Sequence, residues 1–158
     1  LSEVLTYSIQ EEENNLELYK FLEASLSWLD TNEKIANFHL YFLLNLTKYL
    51  GFYPEISSSK FEYFDLSEGV FTNLKPKFEY VTGYDLVAFK KLLGIHFDAL
   101  DRVEFNAKTR QQVLTILIRY FELHLSGLKG AIKFAIKLKV INLVQINTKH
   151  NFKHKRFS

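Results

Sequence analysis

The sequence predicts a mainly α protein: a single helical bundle-like domain of about six helices with a small β-hairpin insertion. Three observations predict it. Apolar residues recur at helical spacing in long runs, separated by glycine, proline or acidic breaks. The 158 residues suffice for one ordinary domain, which buries ~68–70% of its unfolded-chain surface and so needs no metal or disulfide to hold it. The composition, 47% hydrophobic and 16% aromatic, belongs to a packed chain rather than a disordered one.

Residues 1–9 read as the end of a helix, and Glu11, Glu12 and Glu13 as a short acidic link. Asn14 or Asn15 can cap a second helix over roughly 15–30, with Leu18, Leu22, Leu26 and Leu29 at i, i+4, i+8 and i+11 and Trp28 in the core. The stretch 37–54, NFHLYFLLNLTKYLGFYP, is apolar enough to raise the question of a membrane span. A span needs ~20 mostly apolar residues, and Asn37, His39, Asn45, Thr47 and Lys48 interrupt this one. Lysine near the centre of a span costs ~2.5–3.5 kcal/mol. On a helical wheel Lys34, Asn37, Tyr41, Asn45 and Lys48 fall in one narrow stripe. Phe38, His39, Phe42, Leu43, Leu46, Tyr49 and Leu50 fill the other side. This predicts a central core helix over roughly 33–50 with one wet seam, Gly51 at its end and Pro54 beyond.

Residues 51–81 differ. Ser57, Ser58 and Ser59 predict a flexible loop, and FEYFDLSEGVF alternates around a turn at Ser67–Gly69, which predicts a hairpin. Pro76 is expected to keep the residues after it irregular. Thr82 and Asp85 fit a capping box opening a helix over roughly 83–94, ended by Gly94. Asn106 can cap the longest helix, roughly 107–126. Its polar face is Gln111, Gln112, Thr115, Arg119 and Glu122. Its apolar face is Val113, Leu114, Leu117, Tyr120, Phe121, His124 and Leu125. AIKFAIKLKVI then fits both a strand and a helix: Ile132, Phe134, Ile136, Leu138 and Val140 alternate, while Ile132, Ala135, Ile136, Lys139, Val140, Leu143 and Val144 make a mostly apolar helical face. The domain is expected to span 1–146, with a basic, disordered tail over 147–158.

Net charge is +2 but unevenly spread. Residues 1–126 hold 12 Lys/Arg against 18 Asp/Glu, a net −6, whereas residues 127–158 hold eight Lys/Arg and no acid. A basic arm on an acidic body suggests an anionic partner for the arm; the alternative is a solvated tail. The absence of cysteine rules out disulfides and thiolate metal sites. With Leu1 first and no methionine, the sequence is expected to be a piece of a longer polypeptide.

No catalytic motif emerges. His39 and His124 lie on the apolar faces of two long helices and could meet as a metal or acid–base pair, but a lone histidine on an apolar face is more often a hydrogen-bonded core residue. The acids are scattered, the serines lack a nucleophile elbow, and there is no glycine-rich phosphate loop. The expectation is no enzyme and no cofactor. Arg110 points toward the apolar side of its helix. Either it has a carboxylate partner, with Asp65, Glu68 and Glu104 the candidates, or its guanidinium awaits a partner's carboxylate or phosphate. The basic segment 129–156 has Phe134, Phe152 and Phe157 interleaved with or beside its lysines, the mixture that binds single strands by stacking and phosphate contacts.

NFHLYFLLNLTKYLGFYP, YFDLSEGVF and TRQQVLTILIRYFELHLSGLKG, in that order and spacing and preceded by LEASLSWLD, resemble the C-terminal helical region of the bacterial DNA repair protein RecO family. The likeness covers about residues 1–135 and is nearest the form of Bacteroidetes-like bacteria. It implies a recombination mediator, not an enzyme: cytoplasmic and nucleoid-associated, with neither a membrane nor a small-molecule substrate. The implied partners are single-stranded DNA, the acidic, apolar-ended tail of single-strand-binding protein, and RecR, with strand annealing and RecA loading as the outcome. Full-length members begin with an OB-fold that binds DNA, which is not expected among these residues; many also carry a four-cysteine zinc ribbon, and with no cysteine here zinc is not expected. The resemblance favours helix to about residue 138. The partner-binding candidates are Lys34, Lys48, Arg110 and Arg119, and the DNA-binding candidates Lys129, Lys133, Lys137 and Lys139. A helical protein-interaction module without nucleic-acid binding is the alternative.

Overall fold

The structure, a computed structural model, describes residues 2–33 and 35–125, with residues 2–15 and 101 described by their backbone alone. Among the described residues the order is α1 (Ser2–Thr31), α2 (Phe38–Tyr49), β1 (Tyr63–Asp65), β2 (Val70–Thr72), β3 (Tyr80–Thr82), α3 (Gly83–Lys90), a 3-10 helix (Phe97–Arg102) and α4 (Ala107–His124). The protein is mainly α, but the expectation of about six helices and a hairpin is corrected to four α-helices and a three-stranded antiparallel sheet. The stretch 131–144 and the tail 147–158 lie outside the described residues.

Part of the correction is in α1. The two helices expected on either side of Glu11–Glu13 are one helix of 30 residues. Glutamate is a good helix former, and neither glycine nor proline occurs between residues 2 and 31, so nothing breaks the hydrogen-bond ladder. Leu18, Leu22, Trp28 and Leu29 pack against the core, while Leu26, expected beside them, is 62% exposed. α1 runs antiparallel to α2: Phe21 stacks on Phe42 and Tyr49, and Trp28 stacks on Phe38.

α2 is the centre of the molecule, and the expected wet seam is buried at Asn37, Tyr41 and Asn45, while Lys48 at its end is exposed. Every residue from Phe38 to Thr47 is buried, including Tyr41 and Asn45. The 3-10 helix covers that side, with the Phe97 ring 4.5 Å from Tyr41. Polar groups survive there because each of these finds an acceptor: Asn45 Nδ2 donates to the Tyr41 carbonyl (2.9 Å) and Thr47 Oγ1 to the Leu44 carbonyl (2.6 Å). Burying Leu40, Leu43 and Leu44 completely contributes roughly 1.5–3 kcal/mol each. α4 lies along α2 in the same direction. Its start is tied to the start of α2 through residues 103–105, and its end packs under Phe52, three residues past Tyr49.

The hairpin forms as expected. Phe64 pairs with Phe71 across β1 and β2. Asp65 builds the turn, its Oδ1 accepting from the Ser67 and Glu68 amides. Gly69, at φ +71°, closes it. The third strand corrects the irregular segment expected after Pro76: β3 pairs with β1, Val81 opposite Phe64. Phe64, Phe71 and Val81 form the buried face of this sheet. Phe64 meets Phe89 of α3 at 5.0 Å and Tyr120 of α4 at 5.6 Å, which locks sheet to helices. Thr82 takes the N-cap position of α3, but no capping bond forms; its hydroxyl donates to the Glu62 carbonyl and secures the sheet edge. The cap on α4 is as expected, Asn106 Oδ1 accepting from the Thr109 amide at 2.8 Å.

Candidate functional site

Because α2 and α4 run side by side in one direction, their starts make one end of the pair and their finishes the other. The starting end gathers Asn37, His39 and Arg110 around the connection between the 3-10 helix and α4. Asn37 Nδ2 donates to the Val103 carbonyl, and Arg110 Nη1 donates to the Phe105 carbonyl at 2.6 Å. These two bonds hold the backbone that launches α4. Asn37 Oδ1 is buried without a hydrogen-bond partner among the described residues. The backbone of Asn37 is already helical (φ −102°, ψ 0°), so its side chain does not turn back to cap α2.

Arg110 is half-buried, and no carboxylate among the described residues lies within ion-pair distance of it. The expected partner, Asp65, Glu68 or Glu104, is therefore corrected to a backbone carbonyl. A neutral acceptor leaves the guanidinium without a compensating carboxylate among the residues whose side chains are described. Its neighbour answers to that charge. Burial, and secondarily the positive charge of Arg110, push His39 down to about 4, so the imidazole is neutral at physiological pH.

The finishing end is aromatic. Tyr120 donates to the Phe52 carbonyl at 2.7 Å, and His124 stacks on the Phe52 ring at 5.1 Å with its Nε2 2.8 Å from the Leu66 carbonyl. His39 lies within electrostatic reach of Arg110, and His124 follows Arg110 by 14 residues, roughly 21 Å along α4. The two histidines are therefore not a pair. Among the described residues no group of three or more His, Asp or Glu side chains could hold a metal ion. No helix among them is long and apolar enough to cross a membrane.

Of the partner-binding candidates read from the sequence, the three described ones, Lys48, Arg110 and Arg119, are not brought together. Lys34 lies outside the described residues, as do Lys129, Lys133, Lys137 and Lys139. Lys48 is exposed near the finishing end, its Nζ 4.6 Å from the centre of the Tyr53 ring, and partial burial lowers its pKa. Tyr53 is itself fixed by the Gly94 amide, which donates to its hydroxyl. Arg119 is fully engaged: Nη2 and Nε grip the two oxygens of Glu79 at 2.6 and 3.1 Å, and Nη1 reaches Glu122 at 3.0 Å. That bidentate grip raises the Arg119 pKa further and fastens the approach to β3 onto α4. Glu79 escaped notice in the sequence and Asn37 was read only as part of a wet stripe, since their partners lie 40 and 66 residues away and no local spacing marks them. Of the candidates described, Arg110 alone is a half-buried cation without an acidic partner.

The family model for the recombination protein O C terminal matches residues 1–130, and the chain belongs to that family. It is 46% identical over 129 residues to the DNA repair protein RecO of Flavobacterium johnsoniae, an alignment covering 82% of this chain and 54% of that protein. Against the DNA repair protein RecO of Bacteroides fragilis the identity is 33%, over 79% of this chain and 53% of that protein. Against that of Azobacteroides pseudotrichonymphae it is 30%, over 86% and 58%. The chain thus spans about half the length of the curated relatives it matches. No solved structure matches it.

Proposed function

We propose that this chain is the helical, partner-binding part of a recombination mediator in DNA repair, acting by binding rather than by catalysis. Its partner at the α2–α4 starting end is the acidic, apolar-ended tail of single-strand-binding protein. The observation that carries this reading is Arg110, a half-buried guanidinium whose partner among the described residues is the Phe105 carbonyl. An incoming carboxylate would supply a compensating charge. RecR and single-stranded DNA are the further partners. Phosphate contacts fall to Lys129, Lys133, Lys137 and Lys139.

The test is fluorescence polarisation with a labelled acidic peptide ending in an apolar residue and a free carboxylate. Binding at roughly tens of micromolar is expected. Arg110→Ala should weaken it about tenfold or more, the worth of a charge-assisted hydrogen bond. Lys48→Ala, at the far end of the pair, should change it little. No binding, or binding indifferent to Arg110→Ala in a variant with parental circular dichroism, sinks the reading. For the nucleic-acid part, retention of a labelled single strand should fall with salt, at a log–log slope of about −3 for four phosphate contacts. The net −6 of residues 1–126 favours the second reading, a protein-interaction module alone; absence of retention at low salt would leave that one standing.

A further inference from the structure

The outer face of the small sheet carries rings that the core does not use. Phe64, Phe71 and Val81 are buried, so by strand alternation Tyr63 and Tyr80 stand on the opposite face. Their rings meet edge to face at 5.7 Å. The approach to β3 extends the row. The Glu79 carbonyl accepts from the Leu66 amide, which continues the ladder, and the Glu79 side chain turns to Arg119 on α4. Phe78 therefore falls on the side of Tyr80, and it is 69% exposed.

Two lysines border this row. Lys75 Nζ lies 5.5 Å from the centre of the Tyr80 ring, and Lys77 Nζ 5.2 Å from that of Phe78. The Tyr80 hydroxyl raises the Lys75 pKa, so that ammonium stays charged. Neither lysine has a carboxylate within ion-pair distance among the residues whose side chains are described. Residues 72–78 contain no acid. Glu79, next in the chain, is gripped by Arg119, and Asp65, the acid on the outer face of β1, accepts from the amides of its own turn. Open rings beside cations without acids select an occupant that carries flat faces and negative charge together. The exposed Phe78 ring offers a free face and no enclosure, which suits a base; an aliphatic anchor needs a pocket. A second copy of the face would set lysine against lysine, which disfavours it.

We propose that single-stranded nucleic acid lies across this face, its bases stacked on Phe78 and Tyr80 and its phosphates on Lys75 and Lys77, with Tyr63 holding the Tyr80 ring edge to face. The site rests on the single-strand part of the proposed function, but uses none of the lysines assigned there. Stacking reads no base edge, so binding tolerates any sequence and needs an unpaired strand.

The test is fluorescence polarisation of a labelled thymidine oligonucleotide with the full chain, in variants whose circular dichroism matches the parent. Phe78→Leu keeps an apolar side chain but loses the ring, and should weaken binding about fivefold or more. Phe78→Tyr keeps the ring and should bind as the parent does. Lys75→Gln and Lys77→Gln together should make the log–log salt slope shallower by about 1.4. With the complementary strand annealed, Phe78→Leu should match the parent, since paired bases offer no free face. A further variant, with Lys129, Lys133, Lys137 and Lys139 all changed to Gln, separates this site from the earlier assignment. Binding that survives in that variant and falls with Phe78→Leu supports the sheet face alone. Binding indifferent to Phe78→Leu overturns the proposal, whatever the tail lysines do, and no binding by the parent at low salt overturns both. An acidic peptide that loses affinity with Phe78→Leu while the strand does not would make the face a peptide site instead.

Discussion

The closest engineered test of the fold is at Gly69, where the hairpin turn meets the end of α4. The backbone there has φ +71°, and a Cβ built on it would lie 2.5 Å from Tyr120 Oη but 3.6 Å from Tyr120 Cζ. Gly69→Ala therefore has two separable costs: a left-handed backbone for an L residue, about 1–2 kcal/mol, and overpacking against the hydroxyl, about 1–3 kcal/mol. Tyr120→Phe removes the hydroxyl and with it the bond to the Phe52 carbonyl, a loss of about 1–1.5 kcal/mol. In the double variant the clash has no atom to clash with, because the ring carbon behind it is at ordinary contact distance. The double variant should therefore be less destabilised than the sum of the singles by about 1–2 kcal/mol, measured as the coupling energy from urea denaturation. A domain of this size has about 5–15 kcal/mol in all, so both singles should remain folded. Additivity within about 0.5 kcal/mol would show that Gly69 is required for its φ alone and that the turn does not press on Tyr120.

Two further outcomes concern the starting end of the helix pair. His39, lowered to about 4 in the folded chain against about 6.5 unfolded, takes up its proton more readily when unfolded. Its contribution is complete above about pH 6.5 and is lost as pH falls toward 4, by roughly 3 kcal/mol; the difference between parent and His39→Gln unfolding curves across that window should show this slope, and parallel curves would contradict it. Asn106→Ala removes the cap on α4 and should cost about 1 kcal/mol by chemical denaturation. Asn106→Asp should restore most of that loss.

The features legible in the sequence are those that depend on neighbours along the chain. The Asn106 cap, the turn at Ser67–Gly69 and the apolar face of α4 all rest on residues within a few positions of one another, and all are found in place. The polar stripe of α2 is also legible as a stripe. Its environment is not, because the 3-10 helix covers it, and six residues carry too short a pattern to be seen. β3 escapes for the same reason: three residues cannot show a period, and their partner strand is earlier in the chain. At Glu11–Glu13 charge does not act as a break, since only glycine, proline or competing side-chain bonds interrupt a helix. Among the candidate site residues, helical phase places Arg110 on the apolar side correctly. It cannot supply the acceptor, which is the carbonyl five residues earlier.

That choice of acceptor bears on how the starting end can work. Had Arg110 been paired with a buried carboxylate, a ligand would have had to displace that pair at a cost of several kcal/mol. With a backbone carbonyl as its partner among the described residues, one donor orients the guanidinium, and on the proposed reading the rest of the fork meets an incoming carboxylate without prior rupture. The neighbouring histidine does not compete for the same anion. Desolvation is the larger cause of its lowered pKa and the Arg110 charge the smaller. Neutralising Arg110 would lift only the smaller of the two, so His39 stays neutral whether or not the arginine is paired. His39 then adds no charge to this end near neutrality, and any affinity for an anion there rests on Arg110.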